Sequence, residues 1–166
     1  MRQPRLILLV VAAITIGSAS YVTLRQMLIR RSPVVIACGR FHQVTHKGSG
    51  IATIYQLSDG RRMLCLKEFL TARVPALEVY LISASDAFEN ETVENSEIHS
   101  LGALESVEGD QCYQLPDDLD LTKYRAVTIW SVKHHVNLTT APLAPGRTSA
   151  SGDYHALKTL CPTSAA

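Results

Sequence analysis

Beyond residue 33, apolar and polar positions alternate in short runs of strand length, separated by turn residues. The runs Ile51–Leu57 and Arg62–Phe69 flank Asp59-Gly60, and Asp-Gly between two apolar segments is a strong sequence signal for a β-hairpin. Leu77–Ser83 carries large apolar side chains at both odd and even positions, which is typical of a strand buried on both faces. These patterns predict a domain built from strands.

The other segments of the chain beyond residue 33, which we call the body, also predict strands, but more weakly. Val34–Ala37 is a β-branched run, a strand is predicted around Tyr113, and Arg125–Leu138 is long enough for one long strand or for two strands with a bend. Residues 86–97 are polar and acidic, and we interpret them as a solvated loop. No convincing amphipathic helix follows Leu24, so the expected fold is an antiparallel β-sandwich.

An apolar segment precedes this body. Leu6–Leu24 is an uncharged run of 19 residues between arginines, long enough to span a bilayer as a helix. The small residues 17–20 would also suit the cleavage region of a signal peptide. We therefore expect a membrane anchor or signal segment at 1–31, the β-sandwich at 32–141 and a flexible tail rich in Pro, Ser and Ala at 142–166. The expected location is the cell membrane, single-pass, with the body outside the cytoplasm; the alternative is a secreted or periplasmic protein.

The charge distribution narrows the choice of partners. Residues 1–31 contain five arginines and no acid, whereas the remainder has 11 basic and 15 acidic side chains. A mildly acidic body without a basic stripe argues against nucleic acid, whose binding depends on neutralising phosphates. The expected partners are the membrane, through residues 6–24, and a protein or ligand that the sequence does not identify.

Four cysteines permit three complete pairings. Cys38 opens the body and Cys161 lies in the tail, so a disulfide between them would tie down both ends, and export would permit it. Cys65 and Cys112 are interpreted first as small hydrophobic residues buried in strands. The chain has no CxxC pair, which disfavours zinc-ribbon and thioredoxin-type sites.

One ordered set of positions resembles a known family. It runs through a tyrosine strand, a Pro-Asp turn, an acidic loop and an apolar strand that ends in tryptophan, and comprises Tyr113, Leu115-Pro116, Asp120-Leu121, Tyr124 and Val127 to Trp130. The set resembles the DM-thirteen domain family, and the likeness extends over about Gly39 to Ala141. The resemblance implies an extracytoplasmic β-sandwich of the kind proposed to act in electron transfer.

The chain departs from this family at the position that follows the tryptophan. The resemblance implies a redox cysteine there, but Ser131 follows Trp130, and an alcohol has no accessible redox couple. Strand alternation predicts that Trp130 and His134 face the core and that Ser131 lies on the more polar face, unless a bulge intervenes. No nucleophile elbow surrounds Ser131, which we interpret as structural.

Two functions follow from these observations. The first is a non-catalytic binding or structural module without a cofactor, because the scaffold is kept while the redox residue is replaced. The alternative is an envelope redox protein that uses Cys65, Cys112 or a bound cofactor, with Cys65 favoured because Arg61, Arg62 and Lys67 are close in sequence. His46 and His134 are weak candidates for metal ligands, and no metal is predicted.

Overall fold

The computed structural model describes residues 33–146, and the regular structure in this part of the chain is almost entirely β-strand, with one short helix. The anchor or signal helix predicted within 1–31 lies outside the described residues. Among the described residues, no helix has the length and apolar character needed to cross a bilayer. The elements are β1 (Val34–Arg40), β2 (His42–Gln43), β3 (Ser49–Gln56), β4 (Arg62–Leu70), β5 (Leu77–Ile82), α1 (Asn90–Glu94), β6 (Ile98–Ala103), β7 (Glu108–Leu115), β8 (Ala126–Ser131), β9 (Val136–Pro142) and β10 (Ala144–Pro145).

The strands form two antiparallel sheets, which confirms the all-β prediction. Sheet A has the order β10-β1-β3-β4-β7, and sheet B has the order β2-β9-β8-β5-β6. The predicted hairpin is present as β3–β4, with Tyr55 opposite Met63. Strand pairing continues past residue 141, where the β-sandwich was expected to end, because β10 pairs with the edge of β1.

The main core lies between the two sheets. Alternate residues of each strand point inward, so Leu64 and Leu66 of β4 meet Val127 and Ile129 of β8 in one apolar cluster. Removing apolar surface from water stabilises a fold by about 25 cal/mol per Å², so burial of these side chains contributes to the stability of the domain. The fully buried members of this cluster include Ala52, Leu64, Leu66, Val79, Leu81, Leu115, Val127, Ile129, Leu138 and Ala141.

A β-bulge interrupts β4 after the second of these leucines. The register of β4 shifts between Leu66 and Phe69, and Glu68 adopts a φ of 46°. Gly50 of β3 lies opposite with a φ of 114°, and a Cβ there would come within 2.8 Å of the Lys67 carbonyl oxygen. The bulge therefore requires glycine at position 50.

The C-terminal part of the predicted long segment is a hairpin rather than one strand. β8 ends at Ser131, residues 132–135 turn, and His135 takes a φ of 52°. The prediction that His134 faces the core was wrong, because His134 lies exposed in this turn. Strand alternation cannot be extended through a turn, and that is the physical reason for the error.

The outer face of sheet B is covered by residues 83–97. We expected residues 86–97 to be a solvated loop, but Val93 of α1 is fully buried against Trp130 and Ile82. Trp130 therefore packs in this second cluster and not in the core between the sheets, where we expected it. Beside the cluster, the buried Asn137 side chain accepts a hydrogen bond from Thr128 Oγ1 at 2.5 Å and donates one to Thr140 Oγ1 at 2.8 Å.

Candidate functional site

Cys65 and Cys112 form a disulfide that joins two neighbouring strands. They are direct register partners on β4 and β7, their sulfurs are 2.05 Å apart and their Cα atoms 4.1 Å apart. So close an approach is typical of the non-hydrogen-bonded pairs of an antiparallel ladder. The first interpretation, in which each was a small buried hydrophobic residue in a strand, holds for the strands and for the burial of Cys65, but Cys112 is exposed and the two residues are bonded to each other.

The other cysteine in the described part of the chain is also oxidised. Cys38 is disulfide-bonded, and the described residues contain no free cysteine. Cys161, its expected partner, lies outside the described residues, so that pairing stays a prediction.

The Cys65–Cys112 bridge lies on the outer face of sheet A. Leu64, Leu66 and Tyr113 belong to the core between the sheets, so the cysteines that alternate with them point away from it. The register places Thr53 of β3 next to Cys65 on one side and Cys112 on the other. The row across the sheet therefore runs from Thr53 through Cys65 to Cys112.

The two halves of the bridge differ in their access to solvent. Cys65 is 7% exposed and Thr53 is fully buried, whereas Cys112 is exposed. The difference follows from strand order, because β7 is the last strand on its side of sheet A within the described residues, while β4 lies between two neighbours. Cys65 is thus shielded from solvent, whereas Cys112 lies on the open edge of the sheet.

An ion pair lies beside the bridge on the same face. Lys67 is two residues after Cys65, Asp110 is two residues before Cys112, and Lys67 Nζ lies 2.8 Å from Asp110 Oδ2. The other carboxylate oxygen accepts a hydrogen bond from the backbone amide of Glu68 at 2.9 Å, within the bulge. The Lys67 ammonium first and this amide second lower the pKa of Asp110 below its ordinary value.

Two of the three cations that favoured Cys65 as a redox residue are engaged elsewhere. Arg61 pairs with Asp59 in the β3–β4 turn at 2.8 Å. Arg62 donates to the backbone carbonyl oxygens of Pro116 and Asp117 at 2.6 and 2.8 Å. Lys67 is therefore the cation that remains beside the bridge.

Ser131 is a fully buried residue at the end of β8. Its hydroxyl donates a hydrogen bond to the Pro75 carbonyl oxygen at 2.9 Å and accepts one from the His134 backbone amide at 3.3 Å. We expected Ser131 on the more polar face, but it is enclosed and both hydrogen-bonding roles of its hydroxyl are used by the backbone. The hydroxyl thus connects the start of β5 to the β8–β9 turn.

The two histidines considered as metal ligands lie in different surroundings. His46 is half-buried after β2, with Nδ1 3.0 Å from Thr45 Oγ1, whereas His134 is exposed. In residues 33–146, no group of three or more His, Cys, Asp and Glu side chains is arranged to hold a metal ion. Sequence reasoning missed a third histidine, His42, whose Nε2 lies 2.6 Å from Asp86 Oδ1 and whose ring stacks on Phe88.

Comparison with known proteins adds one finding. A family model described as "Electron transfer DM13" matches residues 40–143, which is more than half of the chain. No curated protein and no solved structure matches.

Proposed function

We propose, since this chain belongs to the electron transfer DM13 family, that it is a membrane-anchored, extracytoplasmic redox protein whose working group is the Cys65–Cys112 disulfide. The resemblance implies a redox cysteine after the tryptophan, but this chain has Ser131 there, and an alcohol supplies no redox couple. The observation that carries the proposal is that Cys112 is exposed at the open edge of sheet A, where a redox partner can reach the bridge.

The chemistry is a two-electron exchange. Two electrons and two protons convert the disulfide to two thiols, and the reverse reaction returns them. Because the sulfurs are on the outer face of the sheet, opening the bond leaves the apolar core between the sheets intact. The backbone ladder between β4 and β7 also remains to hold the two cysteines in register.

The location forms part of the same proposal. Disulfides persist in oxidising compartments, and the uncharged segment Leu6–Leu24 supports an anchor that would hold the body at a membrane outside the cytoplasm. The body's acidic balance supports a partner other than nucleic acid.

The test is a redox titration of the full-length protein in detergent. Samples are equilibrated with dithiol and disulfide at graded ratios, alkylated, digested and analysed by mass spectrometry, while circular dichroism follows the sheets. We expect Cys65 and Cys112 to gain and lose alkylation together and reversibly, with the β-sheet signal unchanged. Reduction that occurs only together with loss of that signal contradicts the proposal.

One observation favours a second function, a non-catalytic binding or structural module. Ser131 is buried with both hydrogen-bonding roles of its hydroxyl satisfied by the backbone, which is the arrangement of a structural residue. On this second proposal the Cys65–Cys112 bridge is a permanent cross-link. The same titration separates the two proposals, because a permanent cross-link opens only when the sheets unfold.

A further inference from the structure

We infer, deepening the proposed function on which this inference rests, that the bridge has a fixed direction of attack. A dithiol reductant attacks the Sγ atom of Cys112, and Cys65 leaves as the thiolate. Two independent features of sheet A, one steric and one electrostatic, lead to this assignment.

The steric feature is the order of the row across the sheet. Thiol–disulfide exchange proceeds along the line of the bond that breaks, so the attacking thiolate must approach from behind the sulfur it attacks. Behind Cys65 lies Thr53 of β3, which is fully buried. Behind Cys112 lies the open edge of β7, the outermost strand on that side within residues 33–146. Only Cys112 therefore has a clear line of approach.

The electrostatic feature is the orientation of the neighbouring ion pair. The Lys67 ammonium belongs to β4, the strand of Cys65, and the Asp110 carboxylate belongs to β7, the strand of Cys112. Negative charge is stabilised near a cation and destabilised near an anion. The ion pair thus favours a leaving thiolate on Cys65 over one on Cys112. The steric feature favours the same reaction, in which the reductant attacks Cys112 and Cys65 leaves.

The reaction balances in two displacements. A thiolate of the dithiol forms a bond to Cys112 Sγ, the bond between the two cysteines breaks, and its electron pair remains on Cys65. The second thiolate of the dithiol then attacks the dithiol sulfur that is bonded to Cys112, and Cys112 is released as a thiolate. The dithiol becomes a disulfide, the protein disulfide becomes two thiols after protonation, and two electrons have been transferred.

The test traps the first intermediate in the full-length protein. Glutathione, a monothiol that cannot complete the second displacement by itself, is added to the oxidised protein, the reaction is quenched after graded short times with an excess of N-ethylmaleimide, and the peptides are mapped by mass spectrometry. We expect glutathione on Cys112 and maleimide on Cys65, with this species exceeding the opposite one by about tenfold.

Single-cysteine variants and a charge variant provide a second measurement. In Cys112→Ser the remaining Cys65 thiol should ionise at a lower pH than the Cys112 thiol in Cys65→Ser, because Lys67 is on the strand of Cys65 and Asp110 on the strand of Cys112. Lys67→Gln should slow opening of the bridge by about threefold, since it removes the cation beside the leaving sulfur. Lys133→Gln, in the β8–β9 turn, is the matched control and should leave the rate unchanged.

The outcomes distinguish this inference from the proposed function. Glutathione mainly on Cys65, or equally on both cysteines, in protein that remains folded overturns the direction of attack and leaves the proposed function intact. No adduct on either cysteine until the sheets unfold overturns both. Equal effects of Lys67→Gln and Lys133→Gln overturn the electrostatic part alone.

Discussion

The structure allows us to calculate how much the free energy of unfolding falls when the Cys65–Cys112 bridge is removed. The variant is Cys65→Ala with Cys112→Ala, which removes the bond without leaving a lone thiol. The bridge closes a loop with a sequence separation of 47, and the loop-closure entropy of such a cross-link corresponds to about 4 kcal/mol at 25 °C. We therefore expect the free energy of unfolding to fall by about 4 kcal/mol.

The assay is urea unfolding of the oxidised protein and the variant, followed by circular dichroism. The matched control is Met63→Ala with Gln114→Ala, which alters the register partners two positions away from the bridge on β4 and β7. Because that pair has no covalent link, the control should cost less than about 1 kcal/mol.

A decrease in stability no larger than the control's would refute this reasoning. It would mean that the core between the sheets, and not the bridge, holds β7 in place. The slope of unfolding free energy against urea must be compared as well, since a changed slope would show that the unfolded state has changed.

Three further predictions concern the bulge, the ion pair and the buried serine. Gly50→Ala should destabilise the fold by about 2 kcal/mol or more, because the new Cβ would clash with backbone atoms. Gly109→Ala is the control, since Gly109 has a similar positive φ but open space around it, and it should cost about 1 kcal/mol. Equal losses of stability in urea unfolding would refute the clash. Because the pKa of Asp110 is lowered in the folded protein, its ionised carboxylate stabilises the fold at pH values above the unfolded-state pKa, which is about 4, and this stabilisation is lost as the pH falls through the lower folded-state pKa. The difference in unfolding free energy between wild type and Asp110→Asn should therefore shrink as the pH is lowered from about 6 to 2. A difference that stays constant over this range would contradict the prediction. Ser131→Ala should destabilise by about 1 to 3 kcal/mol in the same assay because two backbone groups lose their partner, and a neutral result would contradict a structural role.

Sequence reasoning could predict the fold where local signals suffice. Asp59-Gly60 between two apolar runs identified the β3–β4 hairpin, and the apolar positions on both faces of residues 77–83 identified β5. These patterns depend only on neighbours along the chain. The position of His134 was predicted wrongly because residues 132–135, which form the turn after Ser131, contain no glycine or proline to indicate a turn.

The candidate site depends on long-range pairing, and that is why the sequence alone did not reveal it. Cys65 and Cys112 both lie in predicted strands, but their pairing requires that β4 and β7 be neighbours, and 47 positions separate them. The ion pair of Lys67 with Asp110 depends on the same adjacency. The short helix over sheet B was missed because Val93 is one apolar residue among acids, and only the fold supplies the surface on which it packs.

The most direct test of the central claim is the rate at which a dithiol opens the Cys65–Cys112 bridge as urea is raised toward the unfolding transition. A redox group that works from the folded state should react at a rate that is nearly independent of urea well below the transition. A structural cross-link should react only through unfolded molecules, so its rate would rise exponentially with urea, with the slope of global unfolding. A flat dependence is the result we predict, and the steep dependence would contradict the claim.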